Sequence, residues 1–338
     1  MLLRNKTPAL AETLLVSVVI LNYNGRRLLE DCVESVLRQD YPNLEVIMAD
    51  NASDDDSVEY IKTRYPDVRV IEYPENYGFS SGNNKAARQA TGQYLFFLNN
   101  DTRLDTHCIS ELVDAAEYHD ADIYGCSVTD FEGSMPPRIM GCDFMGFPFR
   151  GRFFYVEGCA FLIRRDAFFE LAGFDEDYFM FYEDLDICWR ARLMGMVIRY
   201  VDAAIVRHLG GATLSGGNPE YRGYTTNYQR RYLGERNNMR TLLKNYKLLT
   251  LLLVLPVYFL MNIFEVIALI ILGGNLKAAN CYLRAYLDNL RYLPHIIVKR
   301  RKVQKSRVVG DLEIIRCMSL FPFKLKMLLK VGLPEIKS

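Results

Sequence analysis

The chain has no Cys-x-x-Cys pair and no cysteine–histidine spacing of a metal finger, although it holds eight cysteines. Six of these sit in apolar or helical contexts, as reduced core thiols do, which argues against a disulfide framework or a zinc finger. Neither Gly-x-Gly-x-x-Gly nor a phosphate-loop Gly-Lys-Ser/Thr is present, so nicotinamide-cofactor and ATPase readings have no support. There is no internal repeat. Low complexity is confined to Asp54-Asp55-Asp56 and a basic cluster at 299–307. Met1 to Glu12 lacks the continuous apolar core of a secretory signal, so the bulk of the chain is expected in the cytosol.

Net charge is also lacking, with 41 Lys+Arg against 41 Asp+Glu in 338 residues. The balance hides a split. Residues 1–221 carry 20 Lys+Arg against 35 Asp+Glu, and residues 222–338 carry 21 against 6. Two parts so different in charge are expected to face different environments. The basic part suits phosphate or an anionic membrane surface, and no nucleic-acid partner is expected.

Apolar strands alternate with amphipathic helices over the first 130 residues. Strands are expected at Leu15–Asn22, Leu44–Ala49, Val68–Tyr73, Tyr94–Leu98 and Ile123–Thr129. Between them the 3.6-residue spacing of Leu28, Leu29, Cys32, Val33, Val36 and Leu37 sets a helix from Arg26 to Gln39, which ends before Pro42. This alternation predicts an α/β fold, a mostly parallel Rossmann-like sheet flanked by helices. Ligands in such sheets sit beyond the carboxyl ends of the strands. The polar clusters at 22–25, 50–56 and 99–101 all fall there. Residues 131–155, with Pro136, Pro137 and Pro148, read as an irregular flap. A buried strand at Gly158–Arg164, a helix at Glu183–Met194 and a strand at Ala203–Val206 complete the domain.

In residues 248–272 only Thr250, Pro256, Asn262 and Glu265 are not apolar. That length reaches the roughly 20 residues needed to cross a bilayer. Pro256, the inward-demanding Glu265 and basic flanks on both sides argue instead for a kinked re-entrant or interfacial helical element, with a buried helix pair as the alternative. The chain thus divides into a domain over 1–221, with halves at about 15–130 and 131–221, and a basic helical region over 222–338. Self-association remains compatible with this reading.

Three polar groupings carry the chemistry. Asn99-Asn100-Asp101 ends an apolar strand, where a hard oxygen ligand such as Asp101 suits Mg²⁺ or Mn²⁺ on a diphosphate; a plain turn is the bland reading. His208 ends another apolar stretch; it is either a structural hydrogen bonder or an imidazole ligand beside Asp101. Glu183, Asp184 and Asp186 open a helix after the aromatic run Phe179–Tyr182. Capping explains one acid there but not three, and opposing effects of dipole and burial suit a general base. Asn76–Asn84, with Gly78 and Gly82, leads into a helix whose N-terminus can cradle phosphate.

Val18–Gly25, Asp50–Asp54, Asn76–Phe79 with Gly82-Asn83, Leu98–Asp101, Gly158–Ala160, Gly173–Glu176, Phe181–Asp186 and His208-x-x-Gly211 stand in the order of a known family. The chain resembles the family 2 inverting glycosyltransferases of GT-A fold, in the rhamnosyltransferase-like branch. The resemblance implies a donor site for a UDP-, dTDP- or GDP-linked sugar built from Asn22, Asp50, Asn51, Asn76, Gly78, Gly82, Asn83, Asn99 and Gly158. It implies Asp101, with His208, as holder of the divalent metal. It implies Asp184 as the base, with Glu183 and Asp186 in orienting roles. The product would be a sugar, rhamnose or another hexose, moved onto a glycan or lipid-linked glycan at the cytoplasmic face of the membrane. The family's Asp-x-Asp appears here as Asn99-x-Asp101. A sugar nucleotidyltransferase and a non-catalytic membrane scaffold for glycan assembly are the competing readings.

Overall fold

The computed structural model describes residues 13–210, 225–333 and 335–337. Gly211 and the expected boundary at 221 lie outside them. The strands are β1 (Val16–Asn22), β2 (Leu44–Asp50), β3 (Arg69–Glu72), β4 (Tyr94–Asn99), β5 (Thr102–Leu104), β6 (Ile123–Asp130), β7 (Met140–Cys142), β8 (Pro148–Arg150), β9 (Ala160–Arg164), β10 (Ile198–His208), β11 (Thr225–Asn227) and β12 (Glu335–Lys337). The helices that pack on them are α1 (Arg26–Leu37), α2 (Ser57–Arg64), α3 (Gly78–Ala87), α4 (Cys108–Tyr118), α5 (Arg165–Glu170) and α6 (Glu183–Leu193).

Eight strands form one sheet in the order β3-β2-β1-β4-β9-β6-β10-β5. The first half is parallel, because each apolar strand returns through a helix. In register, Asn22 lies beside Asp50 and Leu21 beside Asn99, so three polar strand ends share one rim. The second half is mixed. β9 runs antiparallel between β4 and β6, and the short β5, absent from the sequence reading, pairs antiparallel with β10. β10 itself is much longer than the expected Ala203–Val206.

These two antiparallel insertions bring the remaining groups to the rim. β9 begins beside the end of β4, where the Asn99 N–H donates to the Cys159 carbonyl at 2.8 Å. β5 pairs His208 with Thr102 and so sets the imidazole next to Asp101. Residues 131–155 are not wholly irregular: β7 and β8 pair into a ribbon.

The C-terminal part holds α7 (Tyr228–Asn245), α8 (Leu248–Ile271), α9 (Leu276–Arg291), α10 (Leu293–Ser306), α11 (Asp311–Arg316) and α12 (Phe323–Val331). One apolar core runs from Val19, Phe97 and Phe161 through Trp189 to Leu242, Tyr246, Val254 and Tyr258. The helical region therefore shares the core of the sheet domain.

Charge joins them as well. Lys244 of α7 pairs with Asp175 and Asp186, and Lys299 of α10 pairs with Asp175 and Asp177. Part of the charge split in the sequence is thus consumed inside the molecule, where acidic residues 175–186 meet basic helices.

α8 is one continuous helix through Pro256. Leu251, Val254, Tyr258, Asn262 and Leu269 form its buried stripe. The opposite face shows Leu249, Leu253 and Leu260 at 72%, 69% and 67% exposure. Asn262 and Glu265 point inward. Asn262 donates to the Tyr286 hydroxyl at 2.9 Å, and Glu265 pairs with Arg231 and with Lys324. Their burial in apolar sequence is explained by these partners.

Candidate active site

A cavity of about 900 Å³ opens along the polar rim and continues under the C-terminal helices. Strand ends supply Asn22, Asn51, Asn99, Asp101, Gly158 and His208; the first turn of α6 supplies Glu183 and Asp184. The ribbon of residues 140–150 contributes Met140, Phe147, Phe149 and Arg150, as expected of a flap over the site. Arg230, Arg231, Glu235 and Phe264 close the far end.

At the β1–β2 end of the rim, Asn22 Nδ2 donates to Asp50 Oδ1 at 2.9 Å. Ser53 holds the same carboxylate, from its N–H at 2.8 Å and its hydroxyl at 2.7 Å. Asp50 is buried behind Asn22 and does not line the cavity. Asn51 ties two loops together, accepting from the Tyr77 N–H at 3.0 Å and donating to the Gly78 carbonyl at 3.1 Å.

The expected phosphate cradle at α3 is not available. The N–H groups of Phe79 and Ser80 both point at the Phe179 carbonyl, at 2.6 and 3.3 Å, and that of Gly78 donates to Asn76 Oδ1 at 2.9 Å. Gly78 has φ of +72°, and a Cβ there would meet the Phe179 ring at 2.5 Å. The glycine is needed for this close approach rather than for phosphate. Gly82 and Asn83 also stand off the cavity: Gly82 packs against Leu21, and Asn83 Nδ2 donates to the Phe79 carbonyl at 3.0 Å.

Asp101 and His208 meet as expected, with Asp101 Oδ1 3.1 Å from His208 Nε2. Asp101 Oδ1 and His208 Nδ1 are nonetheless buried without hydrogen-bond partners among the described residues. Burial raises the Asp101 carboxyl, but the adjacent imidazole more than offsets it and leaves it below its ordinary value. Burial likewise works against the His208 imidazolium, yet the neighbouring Cys159 and Asp101 hold its pKa well above the usual value. A carboxylate oxygen and an imidazole nitrogen 3.1 Å apart at the cavity wall are a donor set that fits a divalent cation.

Asp184 lines the same cavity. The Gly158 N–H donates to its Oδ2 at 3.0 Å and the Leu185 N–H to its Oδ1 at 2.7 Å. Burial pushes its carboxyl up to about 6, although both amides pull it down and Glu157 pushes further up. Glu183 is raised well above its ordinary value by burial and by Asp184, and its Oε2 has no hydrogen-bond partner among the described residues. Asp186 departs from the sequence expectation. It faces away from the cavity, bonded to Arg190 at 2.7 Å, Lys244 at 2.9 Å and Asn245 at 3.0 Å. α6 is buried on nearly all sides, not on one stripe alone.

The turn before α6 carries strain. Phe179, Phe181 and Tyr182 have φ of 63°, 70° and 73°, a region costly for bulky residues. Asn237 of α7 holds it there. Its Nδ2 donates to the carbonyls of Tyr178 at 3.0 Å, and of Met180 and Phe181 at 2.8 Å each. Arg236 adds a bond to the Tyr178 carbonyl at 2.9 Å. Sequence reading did not single out Asn237; a buried polar residue within a helix is legible only once its neighbours are known.

A family model described as glycosyl transferase family 2 matches residues 17–179. Among curated proteins, the chain is 28% identical over 156 residues to a Campylobacter jejuni GalNAc(5)-diNAcBac-PP-undecaprenol beta-1,3-glucosyltransferase, covering 42% of this chain and 50% of that protein. It is 26% identical over 229 residues to a Mycobacterium tuberculosis N-acetylglucosaminyl-diphospho-decaprenol L-rhamnosyltransferase, covering 56% and 75%. The chain thus spans half the length of the first relative and three quarters of the second. Among solved structures, TarS 1–349 of S. aureus in complex with UDP-GlcNAc superposes with a TM-score of 0.57 at 17% identity, covering 89% of each chain. A Pyrobaculum calidifontis mannosyltransferase in complex with GDP-Man and Mn²⁺ gives 0.50 at 18% identity, covering 86% and 85%. At such identities the structures speak for the GT-A fold alone.

Proposed function

We propose, for a chain that carries a glycosyltransferase family 2 domain of GT-A fold, inverting transfer of a sugar from a nucleotide diphosphate donor to a lipid-linked glycan. The observation that carries this reading is one cavity lined both by a metal-type pair, Asp101 and His208, and by a buried carboxyl raised to about 6, Asp184.

Asn22, Asn51, Asn76 and Asn99 line the donor end, with Asp50 fixing Asn22 from behind. Asp101 and His208 would hold the divalent cation, Mn²⁺ or Mg²⁺, and the relative solved with GDP-Man also contained Mn²⁺. Such an ion, when bound, would neutralise charge on the departing diphosphate. Asp184 accepts the proton of the acceptor hydroxyl as that oxygen attacks the anomeric carbon from the face opposite the diphosphate. A carboxylate near 6 is ionised at neutral pH yet still basic enough for the task. Burial and Asp184 raise the Glu183 carboxyl, which disfavours a second negative charge beside Asp184. Gly158 fixes the carboxylate orientation.

Both curated relatives are named for acceptors on polyprenyl diphosphates. A lipid-linked acceptor suits this chain because the cavity continues to Phe264 and Met261 of α8, whose outer face is apolar and exposed. That face would rest on the cytoplasmic surface of the membrane. A panel of UDP-, dTDP- and GDP-sugars with synthetic polyprenyl diphosphate glycans tests the reading. Acceptor-dependent release of nucleoside diphosphate is expected with one donor class; release of pyrophosphate would refute it.

A further inference from the structure

Beside the Asp101–His208 contact lies a second grouping, of which the transfer chemistry uses His208 alone. Ligand atoms of Glu157, Cys159 and His208 all lie within 4.8 Å of one another. Glu157 and Cys159 flank Gly158 at the entrance to β9, and both face the cavity that His208 also lines. Glu157 spends one oxygen on Arg138, with Oε2 3.1 Å from its Nη1. Its Oε1 is buried with no hydrogen-bond partner, as is His208 Nδ1. Two unpartnered ligand atoms and a thiol converge on one wall.

A carboxylate, an imidazole and a thiolate form a borderline-soft set. Such a set selects Zn²⁺, which binds thiolate and imidazole readily, over Mg²⁺, which demands oxygen. About 3.5 Å separates neighbouring ligands around a tetrahedral zinc, so short side-chain rotations bring this trio to bonding distance. Three protein ligands leave the fourth position open toward the cavity.

We propose that Glu157, Cys159 and His208 form a zinc site that shares His208 with the metal on the donor diphosphate. The Cys159 thiol passes its proton to solvent as the Zn–S bond forms, and a charged His208 ring likewise releases the proton from the nitrogen that binds zinc. Zinc on His208 places a second dication beside Asp101 and competes for the orientation of the ring, so zinc weakens binding of the catalytic metal and inhibits transfer. Zinc binding itself stands apart from the transfer reading; only the inhibition rests on it.

Cobalt reports on such a site, because a Co²⁺–thiolate bond absorbs in the near ultraviolet. Titration of the metal-free full-length chain with Co²⁺ alone is expected to give this band at one equivalent, and Zn²⁺ is expected to bleach it. Cys159→Ser should abolish the band. Glu157→Gln, which keeps the thiol, should retain the band but weaken cobalt binding at least tenfold, and it serves if the cysteine variant does not fold. Zinc inhibition of Mn²⁺-supported transfer should fall in Cys159→Ser. Absence of the band, its survival in Cys159→Ser, unchanged affinity in Glu157→Gln or equal zinc inhibition in wild type and Cys159→Ser would each overturn the proposal. A failed transfer assay with an intact, Cys159-dependent band would instead count against the transfer reading alone.

Discussion

The main-chain N–H of Gly158 donates to Asp184 Oδ2 at 3.0 Å, tying the entrance of β9 to the first turn of α6. A Cβ on residue 158 would come within 3.2 Å of the Asp184 Cβ. Gly158→Ala is therefore expected to tilt the carboxylate and lower kcat by about ten- to a hundredfold, as a displacement of tenths of an ångström does at a reacting group. Donor affinity, measured by calorimetry with the nucleotide sugar, should change little.

The pH profile follows from the same carboxyl. Asp184 must be ionised to accept a proton, and burial raises its pKa to about 6. The rate should climb with unit slope below that pH and level off above it, apart from any limb set by metal binding. Stability has the opposite sign. A carboxyl whose folded pKa lies above the unfolded value of about 3.9 favours folding below that value, and the advantage is lost as pH rises through about 6. Asp184→Asn should thus raise the melting temperature at pH 7.5 and have little effect at pH 3.5; scanning calorimetry at the two pH values checks it.

Asn237 serves the turn Phe179–Tyr182 rather than the substrate. Asn237→Ala removes three hydrogen bonds to carbonyls of a positive-φ turn. A loss of about 2–4 kcal/mol in chemical denaturation is expected, given the cost of buried carbonyls left unpaired. A positioning role further predicts that the acid limb of the pH profile moves, since the turn sets how deeply Asp184 is buried. An unmoved limb would reduce Asn237 to a structural residue.

Lys244 holds two buried carboxylates, Asp175 and Asp186, against one ammonium. Burial alone would raise Asp186, yet Lys244 and Arg190 bring it below its ordinary value. Lys244→Met should cost about 3–5 kcal/mol in urea unfolding, because removing one partner strands buried charge.

On α8, replacing Leu249, Leu253 and Leu260 with Gln alters a face that is already exposed. The fold should persist, while sedimentation with anionic lipid vesicles should fall sharply. Transfer to a short-chain, water-soluble acceptor should survive in this triple variant.

The first half of the sheet was legible because its strands are continuous apolar runs of fixed period, each ending in polar residues. The two antiparallel strands were harder to read. β5 spans only three residues, and nothing local sets the direction of β9. Asp101, His208 and Asp184 stand out in the sequence because strand ends and helix starts declare themselves, and all three line one cavity. Asp186 was misjudged because sequence spacing does not reveal that Arg190, Lys244 and Asn245 wait on its side of the helix. The glycine-containing run at 76–84 was misjudged for a related reason: the α3 amides were already taken by Phe179, about 100 residues away in the chain.

The most direct test of Asp184 as the acceptor base is single-turnover transfer by Asp184→Asn with the donor that the panel identifies. Nucleotide-sugar binding close to that of wild type, with transfer slowed by about a thousandfold or more, is the outcome expected when a general base is removed. Transfer by Asp184→Asn at a rate near wild type would contradict the account.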